Sequence, residues 1–154
     1  MALSRFLVAA LTAALLAAGC GDGEESDTPA ACLDRSGVYR EALEAAPGEV
    51  RLQAETPVSD CLPRDQSSGD LTRTGELMVE TATELNAGAR RDPGGAATVQ
   101  LGYLVGAIER GADSIHADLV RRVNSAARFT PDRLLPAEFE RTFGRGYSAG
   151  LDSG

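Results

Sequence analysis

The sequence predicts an all-α domain, a small bundle of four to five helices, stapled by one disulfide and set behind an export leader and a tether. Three observations predict it. Apolar residues recur at helical spacing from Asp70 to Arg91 and from Ala96 to Phe129, only one short stretch alternates as a strand would, and the connections between these segments are short. There is no internal repeat. The 154 residues are 43% hydrophobic and 25% charged, an ordinary globular balance.

Arg5 is the only charge before Asp22, and an apolar run rich in Ala and Leu extends from Phe6 to Ala18. A positive start, a short apolar stretch and a small-residue junction mark an export signal. The run falls short of the ~20 residues a membrane-spanning helix needs. At the junction stands Leu16-Ala17-Ala18-Gly19-Cys20. This segment resembles a bacterial lipoprotein signal, in which an aliphatic residue and two small residues precede the cysteine to be lipidated. It departs in one place, with Ala17 three positions before Cys20 and the leucine one further back. The resemblance implies cleavage between Gly19 and Cys20 and a diacylglycerol thioether on Cys20, with further acylation such as palmitate. Two or more acyl chains anchor a protein stably where one holds it only marginally. The alternative is an ordinary secretory signal that leaves Cys20 as a free thiol. The resemblance covers residues 1–20 alone, and places the domain outside the cytoplasm on the bacterial cell membrane or envelope.

Residues 1–19 are therefore read as signal peptide, 20–31 as the lipidated cysteine and a flexible acidic tether, and 32–154 as the helical domain. Gly21 to Ala31 (GDGEESDTPAA) is too polar and acidic to bury an apolar face. About 120 to 135 residues remain for folding, enough for one domain with a real core. Without Arg5 the chain carries 23 acids against 14 arginines, net −9, and no lysine. An acidic chain without a basic patch argues against nucleic acid as a partner. The expected partners are the membrane, through the lipid on Cys20, and an envelope protein.

With Cys20 assigned to lipid, Cys32 and Cys61 form an even pair in an exported protein and are read as a disulfide. Zinc-site spacing and Cys-x-x-Cys are both absent.

Gly37 to Ala46 reads as a short helix, with Ser36 as N-cap and Pro47-Gly48 as its stop. Val50, Leu52 and Ala54 alternate with polar neighbours over a brief extended stretch. Thr56-Pro57 suits an N-cap and first helical residue, opening a single turn that carries Cys61. Asp70 to Arg91 is the clearest helix: Ser67 and Asp70 have capping-box spacing, and Leu71, Gly75, Met78, Ala82, Leu85 and Ala89 form one narrow seam. Asp92-Pro93-Gly94-Gly95 ends it. From Ala96 to Phe129 the chain is apolar at helical spacing, and Val99–Ile108, apolar on most sides, is expected to be the central helix. Gly111-Ala112-Asp113-Ser114 is expected to break or bend this segment, with a second helix from about Ser114. Thr130-Pro131 opens a turn, and a last helix runs from about Pro136 to Ala149.

Several features invite a site. Glu76, Glu80 and Glu84 share one face, but it lies opposite the apolar seam, as the solvated side of an amphipathic helix does. His116, the only histidine, falls at the margin of the Ile115/Leu119/Val123 stripe with Asp113 one turn before it, where a boundary histidine beside a core is the ordinary role. No G-x-S-x-G, H-E-x-x-H or Glu-x-x-His pattern occurs, so no catalytic, cofactor or metal site is assigned. Gly102-x-x-x-Gly106 suits close helix packing in a soluble core. Gly144-x-Gly146 lacks the strand and spacing of a nucleotide loop. Phe139, Phe143 and Tyr147 stack at i, i+4, i+8 and are assigned to the core or to a partner groove.

The expectation is a membrane-anchored envelope lipoprotein acting as a non-catalytic binding or scaffolding module. One alternative is a small-molecule-binding domain with an apolar interhelical cleft edged by His116 and Tyr103. The other is an enzyme whose residues converge from separate helices.

Overall fold

A computed structural model describes residues 28–129 and 134–154. The leader, Cys20, the tether as far as Asp27 and the Thr130-Pro131 turn lie outside the described residues. Within them the protein is a five-helix domain: α1 (Ser36–Leu43), α2 (Ser68–Arg91), α3 (Ala96–Gly111), α4 (Ala117–Ala126) and α5 (Ala137–Ser153). The one sheet among these residues is a two-stranded hairpin, β1 (Arg51–Leu52) with β2 (Thr56–Pro57).

Helix α2 begins as its sequence dictates, with Ser67 Oγ accepting the Asp70 N–H at 3.1 Å. Its buried face is wider than the expected seam. Thr74, Leu77, Thr81 and Asn86 are buried beside Gly75, Met78, Ala82, Leu85 and Ala89, because α1, α3 and α4 all pack on α2. The hydroxyl of Thr81 is satisfied within the helix by the Leu77 carbonyl at 2.7 Å. Glu76, Glu80 and Glu84 face solvent, and Glu84 pairs with Arg40 of α1 at 3.0 Å.

Helix α3 is the central element. Every residue from Val99 to Ile108 except Gln100 is buried, with α1, α2, α4, α5 and the Val58–Cys61 turn packed around it. It packs on α2, with Ala97 against Gly88, and ends at Gly111, where a Cβ would lie 2.3 Å from the Ser59 carbonyl oxygen. The predicted break follows: Ser114–His116 forms one 3-10 turn and α4 departs from it.

Helices α3 and α5 lie parallel, in backbone contact. A Cβ on Gly102 would sit 2.2 Å from the Phe143 carbonyl oxygen, and one on Gly106 2.2 Å from that of Tyr147. From the other side, a Cβ on Gly146 would sit 2.0 Å from Val99 O, and one on Gly150 2.2 Å from Tyr103 O. Two Gly-x-x-x-Gly pairs thus mesh, and the glycine spacing lets each backbone occupy the space where the other would carry side chains. The expected close packing of Gly102 and Gly106 is present. Its partner is Gly146-x-x-x-Gly150 of α5, which shares Gly146 with the Gly144-x-Gly146 pair.

The disulfide joins Cys32 to Cys61 across 5.5 Å between Cα atoms, both residues wholly buried. Several boundaries differ from expectation. The folded domain includes Thr28 to Ala31, assigned above to the tether: Thr28 and Ala31 are buried, and Ala30–Leu33 is a 3-10 turn. Ser36 is the first residue of α1, whose N-cap is Arg35, and the helix ends at Leu43 in turns that run to Pro47. Thr56-Pro57 is strand rather than helix start, since Leu52 pairs with Thr56 and Arg51 with Pro57. The hairpin turn puts Gln53 and Ala54 at φ 49° and 64°, in the left-handed region, without a glycine. The helix after it, Val58–Cys61, is the expected single turn carrying Cys61. Helix α5 continues to Ser153, four residues beyond the expected end.

Candidate functional site

The largest apolar side chains left partly in solvent converge where the C-terminus of α4 meets the N-terminal half of α5. Asn86 of α2 positions this corner: its Nδ2 donates to the carbonyls of Ala126 and Arg128, each at 2.7 Å, satisfying the end of α4 and directing the chain into Phe129. Arg90 reinforces it, donating to the Arg128 carbonyl at 2.9 Å.

Phe129 then heads a ladder of four rings. Its centroid lies 4.6 Å from that of Phe139, which lies 5.5 Å from Phe143, which lies 6.2 Å from Tyr147. The i, i+4, i+8 spacing on α5 produces the last two steps, because residues four apart lie one above the other on a helix. Phe139 is the rooted member at 5% exposure, whereas Phe129, Phe143 and Tyr147 are only half-buried. The glycine contact explains this exposure. Gly146 and Gly150 face α3 directly, so the aromatic stripe, on a neighbouring side of α5, lies along the edge of the α3–α5 pair.

Beside the ladder is an open concavity of about 440 Å³, floored by Phe129, Phe139, Phe143 and Leu135, with Asn124, Arg128 and Glu140 contributing its polar groups. Leu134, next to it, is 99% exposed. At the far end Tyr147 donates its hydroxyl to Glu109 Oε2, and that bond, together with partial burial and the nearby carboxylate charge, raises the phenol's proton affinity. The groove is therefore apolar at its base and carries one cation and one anion.

Of the residues singled out from sequence, the structure brings together Phe139, Phe143 and Tyr147. It does not place His116 or Tyr103 with them. His116 is wholly buried rather than marginal, and Tyr103 is wholly buried too. Tyr103 Oη lies 3.2 Å from Ser153 Oγ and 3.4 Å from the Val50 backbone N, so it ties α3 to the end of α5 and to the hairpin. His116 Nδ1 accepts the Asp113 N–H at 3.0 Å, and its Nε2 meets Gln66 Oε1 at 3.2 Å. Burial lowers its proton affinity, and the Asp113 carboxylate partly opposes that effect. Asp113, in turn, is held below the usual carboxylate range, first by the Ser114 N–H it accepts. Neither His116 nor Tyr103 lines the concavity beside the aromatic ladder.

A second, larger concavity of about 620 Å³, between α1 and the hairpin, has Val38, Ala42, Ala45 and Ala54 among charged side chains such as Glu41 and Arg51. Arg51 is already satisfied there by Glu49 and the Glu55 carbonyl. Among the described residues no cluster of His, Cys, Asp or Glu has the geometry to hold a metal ion, and no helix is long and apolar enough to cross a membrane.

Sequence reasoning missed Phe129, Leu135, Arg128 and Glu140 as groove residues. A signal was present for two of them: Phe129 and the Leu134-Leu135 pair bracket the polar Thr130–Arg133 segment, an apolar pattern too dense for a plain connection. Comparison with known proteins yields no match: no protein-family model fits the chain, and no curated protein or solved structure is significantly similar to it.

Proposed function

We propose that this chain is a bacterial envelope lipoprotein, anchored by lipid on Cys20, whose helical domain is a non-catalytic binding module. The aromatic edge of α5 is its recognition surface for an apolar group of a partner. The observation that carries the binding assignment is the ladder Phe129–Phe139–Phe143–Tyr147, with every ring but Phe139 half-buried, beside a concavity of about 440 Å³. Exposed apolar patches of this kind concentrate at interaction sites, and large aromatic anchors dominate interface energetics. The lipobox-like Leu16–Cys20 segment supports the anchor, and the Cys32–Cys61 bridge suits an oxidising compartment.

The test has two arms. In a producing bacterium the unaltered chain is expected in the membrane fraction and Cys20→Ser in the soluble fraction; detergent-dependent retention of Cys20→Ser would sink the anchor. For recognition, soluble Cys20→Ser protein is titrated with an apolar fluorescent dye such as anilinonaphthalene sulfonate. Saturable binding that Phe143→Ser abolishes is expected. Binding indifferent to Phe143→Ser removes the groove as the site.

A further inference from the structure

The buried polar network around His116 joins four parts of the fold. Because Nδ1 accepts the Asp113 N–H, the single proton of the neutral ring sits on Nε2 and is donated to Gln66 Oε1. That orients the Gln66 amide. Its Nε2 donates to the Cys61 carbonyl and to Thr28 Oγ1, each at 3.0 Å, and lies 3.4 Å from Thr74 Oγ1. One run of hydrogen bonds therefore links the α3–α4 corner, the disulfide-bearing turn, α2, and the point where the N-terminal segment enters the domain. His116, Gln66, Thr74 and Thr28 are all buried.

We propose that this network is an acid-sensitive latch: with His116 neutral it holds the chain entering at Thr28 against the Asp113–His116 corner, and protonation of His116 releases both. The geometry supplies the mechanism. A proton on Nδ1 would confront the Asp113 N–H, placing two donors 3.0 Å apart with no acceptor between them. The corner turn then loses its reciprocal cap, and a charged ring in a buried site favours opening to water. Once the ring turns away, the Gln66 amide loses the partner that fixes it, and with it the hold on Thr28.

The charged groups that face the ring are few. Asp113 lies on its own corner, and Arg64, before α2, is paired with Asp113 at 3.2 Å. Gln66 is the neutral side chain bonded to the ring, and Thr74 of α2 and the Cys61 carbonyl meet the Gln66 amide behind it. The attraction of Asp113 for an imidazolium is shared with Arg64 and the Ser114 N–H, and burial outweighs it, so the folded ring titrates below the ordinary 6.5. The sign follows from linkage. The unfolded ring binds its proton more readily, so the latch is fully stabilising above the unfolded value. That stabilisation is lost progressively as pH falls from about 6.5 toward the folded value.

The chain has one histidine, so its ring resonances need no assignment. In the full chain, NMR is expected to show a ring titrating below 6.5 with its neutral proton on Nε2. Hydrogen exchange, corrected for the intrinsic rate, should show the opening constants at the Asp113 and Cys32 amides, bonded to His116 Nδ1 and to the Pro29 carbonyl, rising toward ~10-fold per pH unit between 6.5 and the folded value. Thr28→Val is expected to raise exchange at Cys32 severalfold at pH 7 while leaving the ring titration in place. His116→Gln should flatten the pH dependence. A ring titrating at or above 6.5, or opening constants unchanged between pH 7 and 5, overturns the latch. The unaltered protein decides both even where a variant does not fold.

Discussion

Replacing Gly150 by alanine introduces one methyl group where the backbones of α3 and α5 touch. Its Cβ would sit 2.2 Å from the Tyr103 carbonyl oxygen and 2.8 Å from the Ala107 nitrogen, both backbone atoms of α3 that no rotamer change can move. Contacts between carbon and a carbonyl oxygen settle near about 3.3–3.6 Å, so the helices must part by roughly 1 Å along their shared length. Overpacking of this kind costs about 1–3 kcal/mol, and a backbone–backbone clash belongs at the upper end. Against it stands about 1 kcal/mol of helix propensity gained when glycine becomes alanine. The net expectation for Gly150→Ala is a loss of about 2 kcal/mol. Gly144, on the same helix, isolates the propensity term, because a Cβ there meets nothing within 4 Å. Gly144→Ala should therefore stabilise by about 0.5–1 kcal/mol. Urea unfolding with an unchanged m-value should move the two midpoints in opposite directions, separated by about 1–2 M for m of about 1.5–2.5 kcal/mol/M. Equal shifts, or stabilisation by both, would refute the meshing of α3 and α5.

Three further outcomes follow from the same geometry. Replacing Cys32 and Cys61 together by alanine should cost roughly 3–4 kcal/mol for a cross-link spanning 29 residues, and intact mass should rise by two hydrogens on reduction; two free thiols in the unreduced protein would contradict the bridge. Ala54→Gly should stabilise by about 0.5–1 kcal/mol, because glycine adopts the left-handed φ of 64° without the cost a Cβ imposes, and destabilisation would refute that turn conformation. Phe139→Ala should cost about 3–5 kcal/mol as a core truncation, while Phe143→Ser, on the open side of the ladder, should cost about 1–2 kcal/mol. Equal losses would mean that the ladder is core throughout.

Much of the bundle was legible because it rests on local signals. Ser67 and Asp70 set the start of α2, Asp92–Gly95 its end, and the Gly111–Ser114 stretch the α3–α4 break. The Cys32–Cys61 pairing followed from reading Cys20 as the lipidated residue of an exported chain, which leaves one even pair. What was not legible depends on partners distant in sequence. Thr56-Pro57 needs extended backbone both before a helix and in a strand, so only its pairing with Leu52 and Arg51 decides between them. The turn that permits this pairing uses Gln53 and Ala54, where sequence habit leads one to expect Asn or Gly. A helical wheel puts His116 at the margin of its own helix, but Gln66, fifty residues earlier, covers that margin and buries the ring. At the candidate site the α5 stripe was visible by its spacing. The groove beside it was not, because Phe129 and Leu135 reach it from either side of a connection whose path the pattern does not encode.

The central claim is that the aromatic edge of α5 meets a partner at the envelope. It is tested most directly by placing a photo-crosslinking amino acid at Phe143 in the full chain within the producing cell. The same probe at Glu76, on the solvated face of α2, serves as control. A discrete adduct in the membrane fraction from position 143, absent from position 76, is the predicted result. Identical crosslinking from both positions, or none from 143, contradicts it.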